Sequence, residues 1–324
     1  MDVWIDHSEM AACTGVIVPA FFSAKPSDAT VSRLLWMTLS DCPYYLPLEQ
    51  VWVVVDGDPR TARLAEEVRE ALHGQGHGWL NLLPLPENQG KLGAIQAGMR
   101  ALLALHPQLR WVVIRDGDGD HMMSVTPQLV RAAHFLAQAY GHTRLIVIGA
   151  RRSRHRPMGF ARGELETLLD QVTLGALAYA LARRERALDL RHCLGSAPDL
   201  SSGFKVYGRE IAERLFVTAE PRLLTLSASD YWHYGPETAT VVEAALQGAV
   251  LAEVPRPTWD GQPTTSFGEF RLQSLYGELL AWVWARLEIP TPVAACLFDG
   301  AAPHLALRTT AEGRTLLDAL RRYA

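Results

Sequence analysis

The stretch Trp111-Val-Val-Ile-Arg-Asp-Gly-Asp-Gly-Asp-His121 decides the fold. An apolar run stops abruptly at three alternating carboxylates, Asp116, Asp118 and Asp120. Four apolar residues running into Asp and Gly read as a buried strand leaving the edge of a sheet. In an open α/β sheet, ligands collect at the carboxyl ends of the strands. Three carboxylates crowded there repel one another unless a cation sits between them. Oxygen-only ligands suit a hard ion such as Mg²⁺ or Mn²⁺, which keeps open positions for phosphate oxygens. A solvated acidic turn is the competing explanation, because Asp and Gly are ordinary turn residues.

Spacing rejects two rival sites. An EF-hand loop opens D-x-D-x-D but then needs Gly at its sixth position and Glu at its twelfth. Here those positions hold His121 and Pro127. A phosphatase with an Asp nucleophile wants its D-x-D on the first strand of the domain, and earlier strand-like runs precede this one. A divalent cation clamping a diphosphate is the reading that remains.

Those earlier runs build the sheet around the acidic stretch. Gly15–Phe21 reads as a first buried strand that Pro19 ends. Gln50–Val55 is a second, closed by the acidic turn Asp56-Gly-Asp58-Pro59. Leu80–Leu85 is a weaker third, Trp111–Arg115 the fourth and Arg144–Ile148 the fifth. Between them, Asp28, Thr61 and Thr126 cap amphipathic helices, and Asn88-Gln-Gly-Lys-Leu-Gly93 opens another. Alternating strands and helices imply βαβ units and a mainly parallel sheet. The dinucleotide fingerprint G-x-G-x-x-G and the P-loop G-x-x-x-x-G-K-[ST] are both missing, so neither of those cradles holds a nucleotide here.

The second half is less regular. Arg151-Arg-Ser-Arg-His-Arg156 is a basic segment directly after a strand, a candidate contact for phosphate or an acidic substrate. Helices are expected over Glu164–Arg186, Arg209–Leu215 and Thr238–Gln247, with a strand over Ala249–Val254. Pro255–Gly268 reads as a loop. Phe270–Leu287 and Ala311–Arg322 are closing helices. The expected organisation is one domain over 14–268 with a nucleotide half to about 150 and an acceptor half to 268. A helical extension then covers 269–324.

Composition narrows the classes. The chain has 324 residues, 48% of them apolar, and a net charge of −4. That charge gives no general attraction to nucleic acid or an anionic membrane. The four cysteines, Cys13, Cys42, Cys193 and Cys296, form no C-x-x-C pair, so neither zinc nor a disulfide framework is indicated. Residues 1–13 read as a short leader without a signal peptide's apolar region. No apolar run approaches the length of a membrane span. A cytoplasmic protein is expected, with its oligomeric state open and a homodimer one option.

The order of the motifs resembles the GT-A glycosyltransferases of the family 2 type, with dolichyl-phosphate mannose synthase-like and glucosyl-3-phosphoglycerate synthase-like enzymes as the nearest patterns. The resemblance covers roughly 14–270. Val16-Ile-Val-Pro-Ala resembles the opening strand, and it implies that Pro19, Ala20 and Phe21 lie along the nucleotide. Val54-Val-Asp56 resembles the strand whose final Asp recognises the base. Asn88-Gln-Gly-Lys91-Leu-Gly-Ala94 is similar to the helix start near the donor diphosphate. Asp116-Gly-Asp118-Gly-Asp120-His121 resembles the D-A-D-x-Q-H metal box, with Asp120 in place of Gln. Val147-Ile-Gly-Ala-Arg151 is similar to the following strand and arginine. Asp199-Leu-Ser-Ser-Gly-Phe-Lys205 resembles an acceptor-side D-x-x-S-G-F-[RK]. Glu253-Val-Pro255 is similar to the family's E-V-P.

The resemblance implies an α/β GT-A fold, Mg²⁺ or Mn²⁺ on Asp116, Asp118 and Asp120, and a UDP- or GDP-sugar donor. Lys91 and Arg151 would add cationic contacts, and Lys205 and Asp199 would face the acceptor. Asp118 would sit at the reacting phosphate. Glu237 and Asp230 are the candidate general bases. The acceptor is expected to be small and soluble, and anionic if the basic segment faces it. A polyprenyl-phosphate sugar synthase and a nucleotide-binding module without transferase activity are the alternatives. The family's loop after E-V-P often carries R-x-x-G-x-S-K-L, whereas Gln262-Pro-Thr-Thr-Ser266-Phe has neither the Arg nor the Lys. That departure speaks against a polyprenyl phosphate. Retaining relatives place a metal-binding His in this loop, where Asp260 or His233 is the substitute on offer.

Overall fold

A computed structural model describes residues 4–195, 197–259 and 272–324. Asp260, the Gln262–Phe267 segment and the expected 268/269 boundary lie outside the described residues.

The strands are β1 (Thr14–Ala20), β2 (Val51–Val55), β3 (Asn81–Pro84), β4 (Trp111–Ile114), β5 (Leu145–Arg151), β6 (Lys205–Gly208) and β7 (Val250–Arg256). They form one sheet in the order β3-β2-β1-β4-β6-β5-β7. All neighbours run parallel except β6, which is antiparallel to both β4 and β5. Around the sheet lie α1 (His7–Ala12), α2 (Asp28–Leu39), α3 (Pro59–Gly74), α4 (Gly90–Leu105), α5 (Thr126–Tyr140), α6 (His155–Met158) and α7 (Phe160–Ala182). They are followed by α8 (Arg209–Ala212), α9 (Ala228–Leu246), α10 (Leu272–Leu287), α11 (Thr291–Ala301) and α12 (Ala311–Arg321).

Each face of the sheet is buried, which is why its strands read as continuous apolar runs rather than alternating ones. Val53 and Val113 point into one core with Leu34 and Leu129, from α2 and α5. Val54 and Val112 point into the other, with Ile95, Leu168, Val242 and Val283 from α4, α7, α9 and α10. Thus α10 packs in the same core as the central strands. No helix among the described residues is long and apolar enough to cross a membrane. All four cysteines are free thiols.

Several expected boundaries move for local reasons. Ser27 caps α2 in place of Asp28, its side chain accepting from the Thr30 N–H. Asp58 caps α3 in place of Thr61, accepting from the N–H groups of Arg60 and Thr61. Pro59 then occupies the first helical position, where its missing N–H costs nothing. Residues 7–12 of the expected leader form α1, capped by Asp6.

The largest revision is α9, which begins at Ala228 rather than Thr238 and carries Pro236 inside it. Gly235-Pro236 reads as a helix breaker, since Pro leaves the carbonyl four residues earlier without its helical partner. That carbonyl is Trp232's, and Gly90 packs against it. A Cβ on Gly90 would stand 2.6 Å from the Trp232 carbonyl oxygen. The proline is tolerated where the chain brings another backbone up to the gap.

Candidate functional site

Strands β1, β2 and β4 are parallel neighbours, so their carboxyl ends share one edge. Pairing of Ile17 with Ile114 sets the level of Asp116 two residues beyond β4. A cleft of about 800 Å³ opens at this edge. One wall, at the ends of these strands, includes Pro19, Ala20, Phe21, Asp56, Lys91, Asp116 and Asp118. Glu237 and His233, both from α9, face it.

Lys91 is the electrostatic centre of this half. Its Nζ lies 2.8 Å from Asp116 Oδ1 and 2.8 Å from Glu237 Oε1. Burial disfavours the ammonium, but the two carboxylates outweigh that and raise its pKa. Burial likewise opposes the Asp116 charge, yet the Lys91 ammonium holds that carboxyl well below the usual range. Asp118 goes the other way. Burial, then the charges of Asp116 and Asp120, push it up to about 7. Its Oδ1 accepts the Asp120 N–H at 3.2 Å.

The turn carrying these carboxylates is pinned from below. Arg115 is fully buried, and its guanidinium donates to the His121 carbonyl. The Asp116 N–H donates to His121 Nδ1 at 2.9 Å, so this imidazole is an acceptor there and neutral. His121 stacks on Phe204 with ring centroids 4.8 Å apart. Burial lowers its pKa well below the ordinary value.

Asp56 is 3% exposed, and its Oδ1 accepts the Gln89 N–H at 2.7 Å. Burial raises its pKa against the opposing hydrogen bonds from Gln89 and Gly90. The carboxylate therefore tethers the start of α4 while still lining the cleft.

Four expectations need correction. Asp120 does not join Asp116 and Asp118 on the cleft wall: its Oδ2 is 3.0 Å from Arg256 Nη2, with both side chains buried. Arg151 does line the cleft, but its guanidinium is spent on Asp199 at 2.6 Å and Glu166 at 2.7 Å. Lys205 is buried beneath the site and donates to the Ser202 carbonyl, so it does not line the cleft. Asp230 sits in the first turn of α9, where Ser227 Oγ bonds its carboxylate at 2.6 Å. It plays a capping role away from the cleft lining.

Two further members of the basic segment meet carboxylates. Arg154 pairs with Asp170 at 2.5 Å and His155 with Glu164 at 2.8 Å. Asp199, expected at the acceptor, instead takes three hydrogen bonds from Arg151.

Sequence reasoning missed the opposite wall. Met158, Arg162, Glu166 and Leu169 come from α6 and α7, and Leu275, Tyr276 and Leu279 from α10. Helical periodicity marks such residues only as a buried stripe, with nothing to separate cleft from core. Gly203 was legible as part of S-S-G-F, but its reason was not. A Cβ there would lie 2.8 Å from Asp116 Oδ2 and 3.0 Å from Lys91 Nζ. A larger residue there would have to push the ion pair aside.

Among the described residues no three His, Cys, Asp or Glu side chains converge into a ready metal cage. The donor set nevertheless fits a hard divalent ion. Asp116 and Asp118 line the cleft together, and an added cation would relieve the crowding that raises Asp118. Two carboxylates with phosphate and water oxygens are a usual Mg²⁺ arrangement.

A sheet of this order, with its acidic cleft on the carboxyl edge, is the GT-A type of α/β fold. The chain belongs to glycosyl transferase family 2, whose model matches residues 15–216. Among solved structures, that of GalNAc-T7 with UDP, GalNAc and Mn²⁺ is similar at 11% identity and a TM-score of 0.44. The alignment covers 94% of this chain and 55% of that one, so the chain spans about half that protein's length. No curated protein matches.

Proposed function

We propose that the protein is a divalent-metal-dependent glycosyltransferase that moves a sugar from a UDP- or GDP-sugar to a small acceptor. The observation that carries this reading is the meeting of Asp56, Lys91, Asp116, Asp118 and Glu237 on one cleft at the carboxyl ends of β1, β2 and β4. Family membership supports the same chemistry. The GalNAc-T7 structure was determined with UDP and Mn²⁺.

The donor would lie with its base toward Asp56, an acceptor-only carboxylate that selects N–H groups. Its diphosphate would run past Pro19–Phe21 toward Asp116 and Asp118. A Mg²⁺ or Mn²⁺ ion held by Asp116 and Asp118 would offset the negative charge that grows on the leaving diphosphate. Lys91 supplies a fixed positive charge beside that position. Glu237 is the carboxylate on the cleft placed to take a proton from an acceptor hydroxyl. Its present hold on Lys91 would have to loosen when the acceptor arrives.

The test is thermal stability with UDP or GDP, each with and without Mn²⁺, in the wild type and in Asp118→Asn. A ligand near 100 times its dissociation constant stabilises by about 2.7 kcal/mol. A shift with one nucleotide that needs both metal and Asp118 supports the reading and names the base. No shift with either nucleotide at millimolar concentration removes it.

A further inference from the structure

The two halves of the cleft differ in charge. On the donor side Asp116 and Glu237 hold Lys91, and with Asp56 and Asp118 also on the lining the carboxylates there outnumber the two lining lysines, Lys25 and Lys91. On the opposite side every lining arginine meets a carboxylate. Arg151 pairs with Asp199 and Glu166, Arg162 with Glu166 at 2.8 Å, and Arg256 with Asp120. Behind them Asp170 takes Arg154 and the Ser201 hydroxyl, the latter at 2.7 Å. Between these pairs the wall is aliphatic: Met158 and Leu169 on one flank, Leu275 and Leu279 on the other. The Tyr276 phenol adds a polar tip on an apolar ring.

An anionic acceptor would have to draw an arginine out of one of these pairs and set its own charge beside the buried Glu166, Asp199 or Asp120, which is costly. A neutral body would instead cover aliphatic surface, which is favourable in proportion to the area removed from water. We infer that this half of the cleft takes a neutral acceptor that presents a hydroxyl from an apolar body, and does not take a phosphorylated or carboxylated one. The inference rests on the glycosyltransferase reading for the word acceptor, but the binding preference stands on the wall itself.

The experiment is isothermal titration of the full chain with two probes: n-octyl β-glucoside below its micellar concentration, and glycerol 3-phosphate. Saturable binding of the glycoside is expected, with none of glycerol 3-phosphate. Leu279 is mostly packed in the core and meets the cleft only with its tip, so Leu279→Ala should weaken glycoside binding by about two- to threefold. Met158→Ala, on the other flank, should weaken it too and serves if the first variant does not fold. Glycerol 3-phosphate binding as tightly as the glycoside overturns the inference. So does glycoside binding that neither variant changes, or no glycoside binding at all. Loss of the acceptor inference leaves the nucleotide- and Mn²⁺-dependent thermal shift intact. Loss of that shift instead sinks the donor reading, whatever the glycoside does.

Discussion

Asp120 and Arg256 form a buried ion pair, Oδ2 to Nη2 at 3.0 Å, that ties the acidic turn after β4 to the end of β7. Arg256 Nη1 also donates to the Asp120 carbonyl at 3.3 Å. The pair therefore fixes where Asp116 and Asp118 point, and it separates the third carboxylate from the other two by function. Arg256→Met would leave Asp120 buried without its partner and should cost about 3–5 kcal/mol. Asp118→Asn removes a repelled charge and should leave stability unchanged or raise it. Urea unfolding of both variants in chelator checks this. An Arg256→Met protein as stable as the wild type would mean that Asp120 is free to turn to the cleft.

Arg151 is a structural cation by the same argument. Arg151→Met should destabilise by about 3–5 kcal/mol, because Asp199 and Glu166 lose their shared partner. Asp199→Asn should act similarly, and the double variant should fall short of the sum of the singles. Affinity for the nucleoside diphosphate should stay within about twofold of the wild type, since Asp199 and Glu166 already offset the guanidinium charge. A tenfold loss in calorimetry would restore Arg151 to the donor site.

The fold was legible because β1, β2, β4 and β5 are buried on both faces and write themselves as unbroken apolar runs. The cleft at the carboxyl edge was legible because a strand running into Asp, as at Asp56 and Asp116, has few structural reasons to recur along one edge. Pairing was not legible. Asp120 and Arg256 are far apart in sequence, as are Arg151 and Asp199, and a lone charge carries no mark of its partner. Within Arg151–Arg156, the partners of Arg151, Arg154 and His155 are Glu164, Glu166, Asp170 and Asp199, which stand elsewhere in the sequence. Helix α9 was cut short because Pro236 looks like a terminator until Gly90 is seen against the Trp232 carbonyl.

Lys205 gives a pH test. It is 2% exposed, and burial brings its pKa down to about 8 from the usual 10.5. The unfolded chain then binds the proton more readily than the folded one, so the residue penalises folding once protonated. That penalty is absent above about pH 10.5, builds as pH falls toward 8, and is constant below. Replacing the residue in Lys205→Met removes it. The variant's stability relative to wild type should therefore be greatest near pH 7 and should decline toward pH 10.5. A change on the order of 3 kcal/mol across that window corresponds to the size of the shift. Denaturant midpoints at pH 7, 8.5 and 10 measure it. Parallel curves for the two proteins would show that Lys205 keeps its ordinary pKa.

Glu237 is the carboxylate proposed to take the acceptor's proton, and its 2.8 Å contact with Lys91 allows two roles to be separated. If it only holds Lys91 in place, Glu237→Gln keeps a hydrogen-bond acceptor for the ammonium and should leave both nucleotide binding and turnover near wild type. If it takes the acceptor's proton, the amide cannot, and kcat should fall by about 10²–10⁴. The Mn²⁺-dependent thermal shift with nucleotide should persist in that variant, because Asp116, Asp118 and Lys91 are untouched. Lys91→Met should behave in the opposite way, weakening the nucleotide-dependent shift by loss of the cation beside the diphosphate. The expected result is therefore a crossed pattern: turnover lost with binding kept in Glu237→Gln, and binding weakened in Lys91→Met. Equal losses of binding in both would assign the pair to donor binding alone and leave the proton without a protein acceptor.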